Sequence, residues 1–136
     1  MKRIFEELAR GIVFAPQAVS TATQKTSGFV AASETGEVEF LLATGPVASG
    51  KKLTVEVYAA GDEAGTGAVK VADAVFTADK AMSEALVTVS CKPHAEHGAY
   101  LGVKFKHDTG ADLVCAVVAA SRVDFLPAEN GWTLAV

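Results

Sequence analysis

Residues 45–52 read Gly-Pro-Val-Ala-Ser-Gly-Lys-Lys, one substitution away from the loop that cradles nucleotide phosphates. That chemistry needs free backbone N–H groups at a helix N-terminus and a hydroxyl after the lysine to hold magnesium. Here Lys52 stands at the hydroxyl position and Pro46 removes one N–H from the cradle. The next segment is not helical either. Leu53, Val55 and Val57 alternate with Thr54, Glu56 and Tyr58, the period of a strand with one covered face. The loop is therefore expected to be a turn between antiparallel strands, with no nucleotide.

Three further groupings could do chemistry. His94, Glu96 and His97 share one loop and His107 comes later, and imidazole with carboxylate suits zinc. No second ligand pair stands at the usual spacing, so a polar loop between Pro93 and Gly98 is the simpler reading. Nucleophilic catalysis would need a serine or cysteine converging with histidine and carboxylate, and no Gly-x-Ser-x-Gly elbow occurs. Glu37, Glu39 and Glu56 fall at outward strand positions, where solvation accounts for them without paired-carboxylate hydrolysis. Exposed aromatics could form a sugar platform, for which Tyr58, Tyr100 and Trp132 are the candidates. Cys91 and Cys115 lie among apolar neighbours and read as reduced, buried thiols. No enzymatic activity, cofactor or metal is expected.

The elements that would position these groups are strands. Val38, Phe40 and Leu42 alternate with Glu37, Glu39 and Leu41; Val87, Val89 and Cys91 alternate with Leu86, Thr88 and Ser90. Leu101, Val103 and Phe105 alternate with Tyr100, Lys104 and Lys106. Residues 68–71 and 74–76 suggest a short edge pair, and residues 113–120 are nearly all apolar, as in a central strand covered on both faces. Turn residues separate them at Thr35-Gly36, Gly45-Pro46, Gly61-Asp62, Gly65-Thr66-Gly67 and Asp108-Thr109-Gly110, the last predicting a hairpin between the final two strands. Residues 78–85 read as a loop with some helical character.

Length and composition agree. A chain of 136 residues is one domain by size, and its apolar half is rich in alanine and valine but only 7% aromatic, which suits small-residue sheets. The net charge is −4 with basic residues scattered, so no nucleic-acid face is expected. No apolar run approaches the roughly 20 residues that span a bilayer, and Glu6 and Glu7 interrupt any secretory signal core. The chain is expected to be used at its full length, away from membranes.

At the ends, Ile4, Phe5 and Leu8 lie at helical spacing, limited by Gly11 and Pro16, while Trp132 and Leu134 come after Pro127. These large apolar groups stand outside the apparent sheet core. They either fold back over it as lids or act as arms that grip neighbouring subunits.

The order of features carries a resemblance. Ser27-Gly28-Phe29-Val30 is followed by the strand over 37–42, the glycine loop and Leu53-Thr-Val-Glu-Val-Tyr58. Then come Val71-Ala-Asp-Ala-Val-Phe76, Ala99-Tyr-Leu-Gly-Val-Lys-Phe105, an alanine-valine strand, and Arg122 near Leu126-Pro127. This resembles the small virion structural proteins of tailed bacteriophages, of the capsid decoration or cement type. The resemblance implies a non-enzymatic protein that binds the outside of an assembled capsid, commonly as homotrimers, with the major capsid protein and itself as partners. Lys104 and Lys106 stand where such sequences often carry arginine, so a head–tail or tail component shares the pattern. A carbohydrate-binding module is the other alternative.

The expectation is thus an all-β antiparallel β-sandwich or partly closed barrel with extended terminal arms. Residues 1–26 would form an arm or first edge strand, 27–127 the sandwich and 128–136 a tail. The expected partner contacts are Ile4, Phe5, Leu8, Trp132 and Leu134.

Overall fold

A computed structural model describes residues 3–32, 36–93, 96–122, 128 and 130–135. The side chain of Phe5, together with Thr35, His94 and Pro127, lies outside the described residues. Among the described residues one helical turn, α1 (Ile4–Glu7), precedes nine strands: β1 (Leu8–Val19), β2 (Lys25–Thr26), β3 (Val30–Ala31), β4 (Val38–Thr44), β5 (Lys52–Ala60), β6 (Val69–Thr77), β7 (Ala85–Cys91), β8 (Tyr100–His107) and β9 (Leu113–Arg122). They make two antiparallel sheets. One runs β1-β9-β4-β7; the other runs β2-β8-β5-β6, with β3 also on β8. The sheets face each other as an all-β sandwich and are not closed into a barrel.

The alternation explains the layers. Val38, Phe40 and Leu42 of β4 and Leu113, Cys115, Val117 and Ala119 of β9 face inward from the first sheet. Leu53, Val55, Val57 and Ala59 of β5 and Leu101, Val103 and Phe105 of β8 meet them from the second. Phe14 of β1 adds an edge-on ring contact to Phe105 at 5.0 Å between centroids. Each large inward side chain contributes about 1.5–3 kcal/mol on burial.

Several expectations change in three dimensions. The turn after His107 does not close a hairpin, because β8 and β9 belong to different sheets. The chain instead crosses the sandwich after Asp108, whose Oδ1 accepts the Lys52 N–H at 2.7 Å and so ties the end of β8 to the start of neighbouring β5. The loop over 45–51 likewise crosses between sheets, from β4 to β5. Residues 69–77 form one nine-residue edge strand, β6, kept continuous by a register shift opposite Val57 and Tyr58. At the N-terminus the helical spacing yields only α1, because a single turn is marginal alone and Leu8 onward pairs with the end of β9. That edge strand tolerates Pro16 and breaks register twice. The last difference concerns β9. Its central position holds, but Val114 is 56% exposed, so its outward face is open.

Candidate functional site

The glycine loop, His107 and the two thiols, which suggested chemistry, are committed to the fold. In the glycine loop, the Gly45 N–H donates to Val114, Val47 to Met82, Gly50 to Ala78 and Lys51 to Ala48, all to carbonyl oxygens at 2.8–3.1 Å. A phosphate would need those donors convergent and free. Val47 and Met82 exchange both backbone bonds, which ties this loop to the β6–β7 connection.

His107 is 2% exposed and serves as a buried strut. Its Nε2 donates to the Val19 carbonyl at 2.6 Å, so Nδ1 is left to accept the Thr109 N–H at 3.3 Å. The ring joins the end of β1 to the turn after β8, far in role from the loop that holds His97, which lies 4.0 Å from Glu96. Among the described residues no group of three potential metal ligands assembles. The thiols are similarly quiet. Burial, aided by Glu37, pushes Cys91 up to about 11, and burial pushes Cys115 up to about 11. Both are protonated at neutral pH and are poor nucleophiles.

Tyr58 and Tyr100 do share the outer face of the second sheet, opposite Gly102 and Ala60 respectively. The face is already occupied by the chain itself. Phe29 lies on Gly102, where a Cβ would meet its ring at 3.0 Å. Lys104 Nζ sits 4.3 Å above the Tyr58 ring, and the Tyr58 hydroxyl donates to Glu56 at 3.0 Å. That hydrogen bond raises the Tyr58 pKa, and burial and the Glu56 charge act the same way. Trp132 does not join them, since its segment is anchored to β1 of the other sheet.

That anchor brings the chain ends together. Asn130 Oδ1 accepts the Arg10 N–H at 2.8 Å while its Nδ2 donates to the Leu8 carbonyl at 3.0 Å. A neighbouring strand would satisfy the same two backbone groups, so the amide caps the free edge of β1. The Ala128 N–H adds a bond to the Glu6 carbonyl at 2.8 Å. Ile4 (66% exposed), Trp132 (fully exposed) and Leu134 (88%) stand out from this junction, and Leu8 is half-buried at its base. The apolar ends were legible as candidates; Asn130 was not, because its partners are 120 and 122 residues away.

A second open surface is the outward face of the β1-β9-β4-β7 sheet. One end of it is polar, with Arg10, Arg122, Glu37 and Glu39. Towards the other end the register places Ile12, Val118 and Leu41 in one row and Ala116, Ala43 and Leu86 in the next. Ile12 is 66% exposed and Leu86 65%. This part of the sheet face is therefore aliphatic and open to solvent. The signal was present in the near-continuous apolar run of β9, which implied a cover on both faces; among the described residues only the inner face is covered.

No known protein-family model matches the chain, and no curated protein matches it in sequence. Among solved structures it is similar to a chain in the structure of infectious bursal disease virus, Gx strain, with a TM-score of 0.54 at 10% identity. The match covers 88% of this chain and 34% of that one, so this chain spans about a third of the viral chain's length. The likeness is one of fold.

Proposed function

We propose that this chain is a non-enzymatic virion structural protein of the tailed-phage decoration type, which self-associates as a homotrimer and reinforces a capsid through the major capsid protein. The observation that carries this reading is the open aliphatic face of the β1-β9-β4-β7 sheet, bordered by the terminal junction with its exposed Trp132 and Leu134. A rigid sandwich with adhesive surfaces is what such a role needs, and symmetry multiplies many small contacts. Each buried apolar side chain would add about 1.5–3 kcal/mol before ordering costs. The fold shared with a chain of a virus supports the reading at the level of architecture. Internal satisfaction of the phosphate-like loop, His107 and the thiols supports the non-enzymatic part. Assembly in the host cytoplasm and residence on the capsid surface belong to the same proposal.

The test is native mass by light scattering, together with co-sedimentation on assembled capsids, for the full chain, Ile12→Lys and a chain ending at residue 127. The full chain is expected to be trimeric and to co-sediment, and both variants to lose one or both properties while keeping the strand signature in circular dichroism. A monomer that ignores capsids but binds on a glycan array would overturn the reading in favour of a carbohydrate module.

A further inference from the structure

Besides the open sheet face, two apolar features are left uncovered by the described residues, and they stand at opposite corners. The first is the tail, where residues 131–135 carry no charge and hold Trp132 and Leu134 in solvent. The second is a groove of about 250 Å³ at the open flank between β6 and β7, lined by Val47, Leu53, Phe76, Met82, Leu86 and Val87. No ionisable side chain lines it, and its volume accommodates an indole ring. Met82, Phe76 and Leu86 are 40%, 43% and 65% exposed, so its rim is open to an incoming side chain.

The register shows that a tail cannot fill its own groove. The tail is fixed by Asn130 beside Leu8 and Arg10, at the row where β1, β9, β4 and β7 carry Ala9, Ser121, Val38 and Cys91. The groove lies at the row of Thr44 and Ala85, six residues along and three strands across. With ordinary strand rise and spacing that is about 20 Å by about 14 Å, or about 25 Å on the diagonal. Four extended residues from Asn130 to Leu134 reach about 13 Å.

We infer that the β6–β7 groove receives the Trp132 segment of a second copy of this chain. The inference rests on the self-association proposed above and names the contact that produces it. Because donor and acceptor patches are different surfaces, the contact is heterologous, and repeating it either closes a ring or runs on as a filament. Two copies exchanging tails about a two-fold axis close the assembly, as does a ring of three, and the light-scattering mass separates them. The tail contributes its indole as the buried anchor, the type of residue on which interfaces most depend.

Trp132 is the one tryptophan of the chain, so its fluorescence reads the contact directly. The experiment tracks emission wavelength and light-scattering mass across a dilution series of the full chain, Leu86→Lys and Trp132→Phe. The expected result is water-like emission in the dilute monomer and a blue shift that tracks oligomer formation. Leu86→Lys should weaken association at least about tenfold and hold the emission red, because it places a charge in the groove. Trp132→Phe should associate more weakly than the parent but retain the groove. An oligomer whose Trp132 emission stays water-like overturns the inference and leaves self-association standing. A blue shift that appears only when capsids are added overturns it in favour of the capsid as occupant. A monomer at every concentration overturns both the inference and the trimer proposal.

Discussion

The His107 corner and the terminal junction treat their side chains in opposite ways. At the corner an imidazole is taken out of water and both ring nitrogens are supplied with partners by the chain itself. Among the described residues no buried side-chain nitrogen or oxygen lacks a hydrogen bond. At the junction the polar work is also complete, with Asn130 spanning Leu8 and Arg10, yet the largest side chain of the protein is left in solvent. An unpaired buried polar group costs the fold directly, whereas an exposed indole costs only the burial it forgoes. Among the described residues the buried polar groups are satisfied internally while large apolar groups at the chain ends stay in solvent, the contrast from which the proposed self-association is argued.

This contrast can be broken or sharpened by substitution. The largest effect belongs to the core that both regions frame: Phe105→Ala should cost about 3–5 kcal/mol in urea unfolding, since it empties the space beside Phe14. His107→Ala comes next, with a loss of about 1–3 kcal/mol, because the Val19 carbonyl is then buried without a donor. If it proves neutral, the corner is not a strut.

Asn130→Ala should cost only about 1 kcal/mol and speed hydrogen exchange at the Arg10 amide, with little change at the β4 and β5 amides. Unchanged exchange at Arg10 would show that the cap does not hold the tail. Alkali tests the fold reversibly through its thiols. The Cys91 and Cys115 thiols ordinarily titrate at 9.0 and are raised to about 11 by burial, so the folded state keeps its protons longer. That stability is present below pH 9 and declines as pH rises towards 11, and alkylation of the folded protein should be slow at pH 8 and accelerate over the same window. Smallest of all, Trp132→Ala should leave folding stability within about 0.5 kcal/mol of the parent, whatever it does to assembly.

Much of the fold was legible because a period of two needs no knowledge of neighbours. Residues 38–42, 53–59, 86–91 and 100–106 announce both a strand and its buried face, and β5 begins after the glycine loop where the alternation says it should. Sheet membership was not legible. Asp108-Thr109-Gly110 has the composition of a hairpin turn, and what sends the chain across the sandwich is that β8 is already flanked by β5 and β2 while Leu113 pairs with Val19 in the other sheet. The single long β6 was hidden by a register shift, which sequence alternation reports as a break. Of the candidate surface, the apolar ends were visible in the sequence; the Asn130 bridge, the open sheet face and the β6–β7 groove required distant segments to be set side by side.

By itself, then, the sequence determined an all-β chain of small-residue strands with large apolar groups at both ends, because side-chain alternation and turn chemistry are local properties. The tertiary structure alone decided which strands share a sheet, that the two ends meet through one amide, and that the tail and the groove lie too far apart to satisfy each other. Those outcomes depend on pairing between residues tens of positions apart, where burial and hydrogen-bond satisfaction over the whole sandwich select one register.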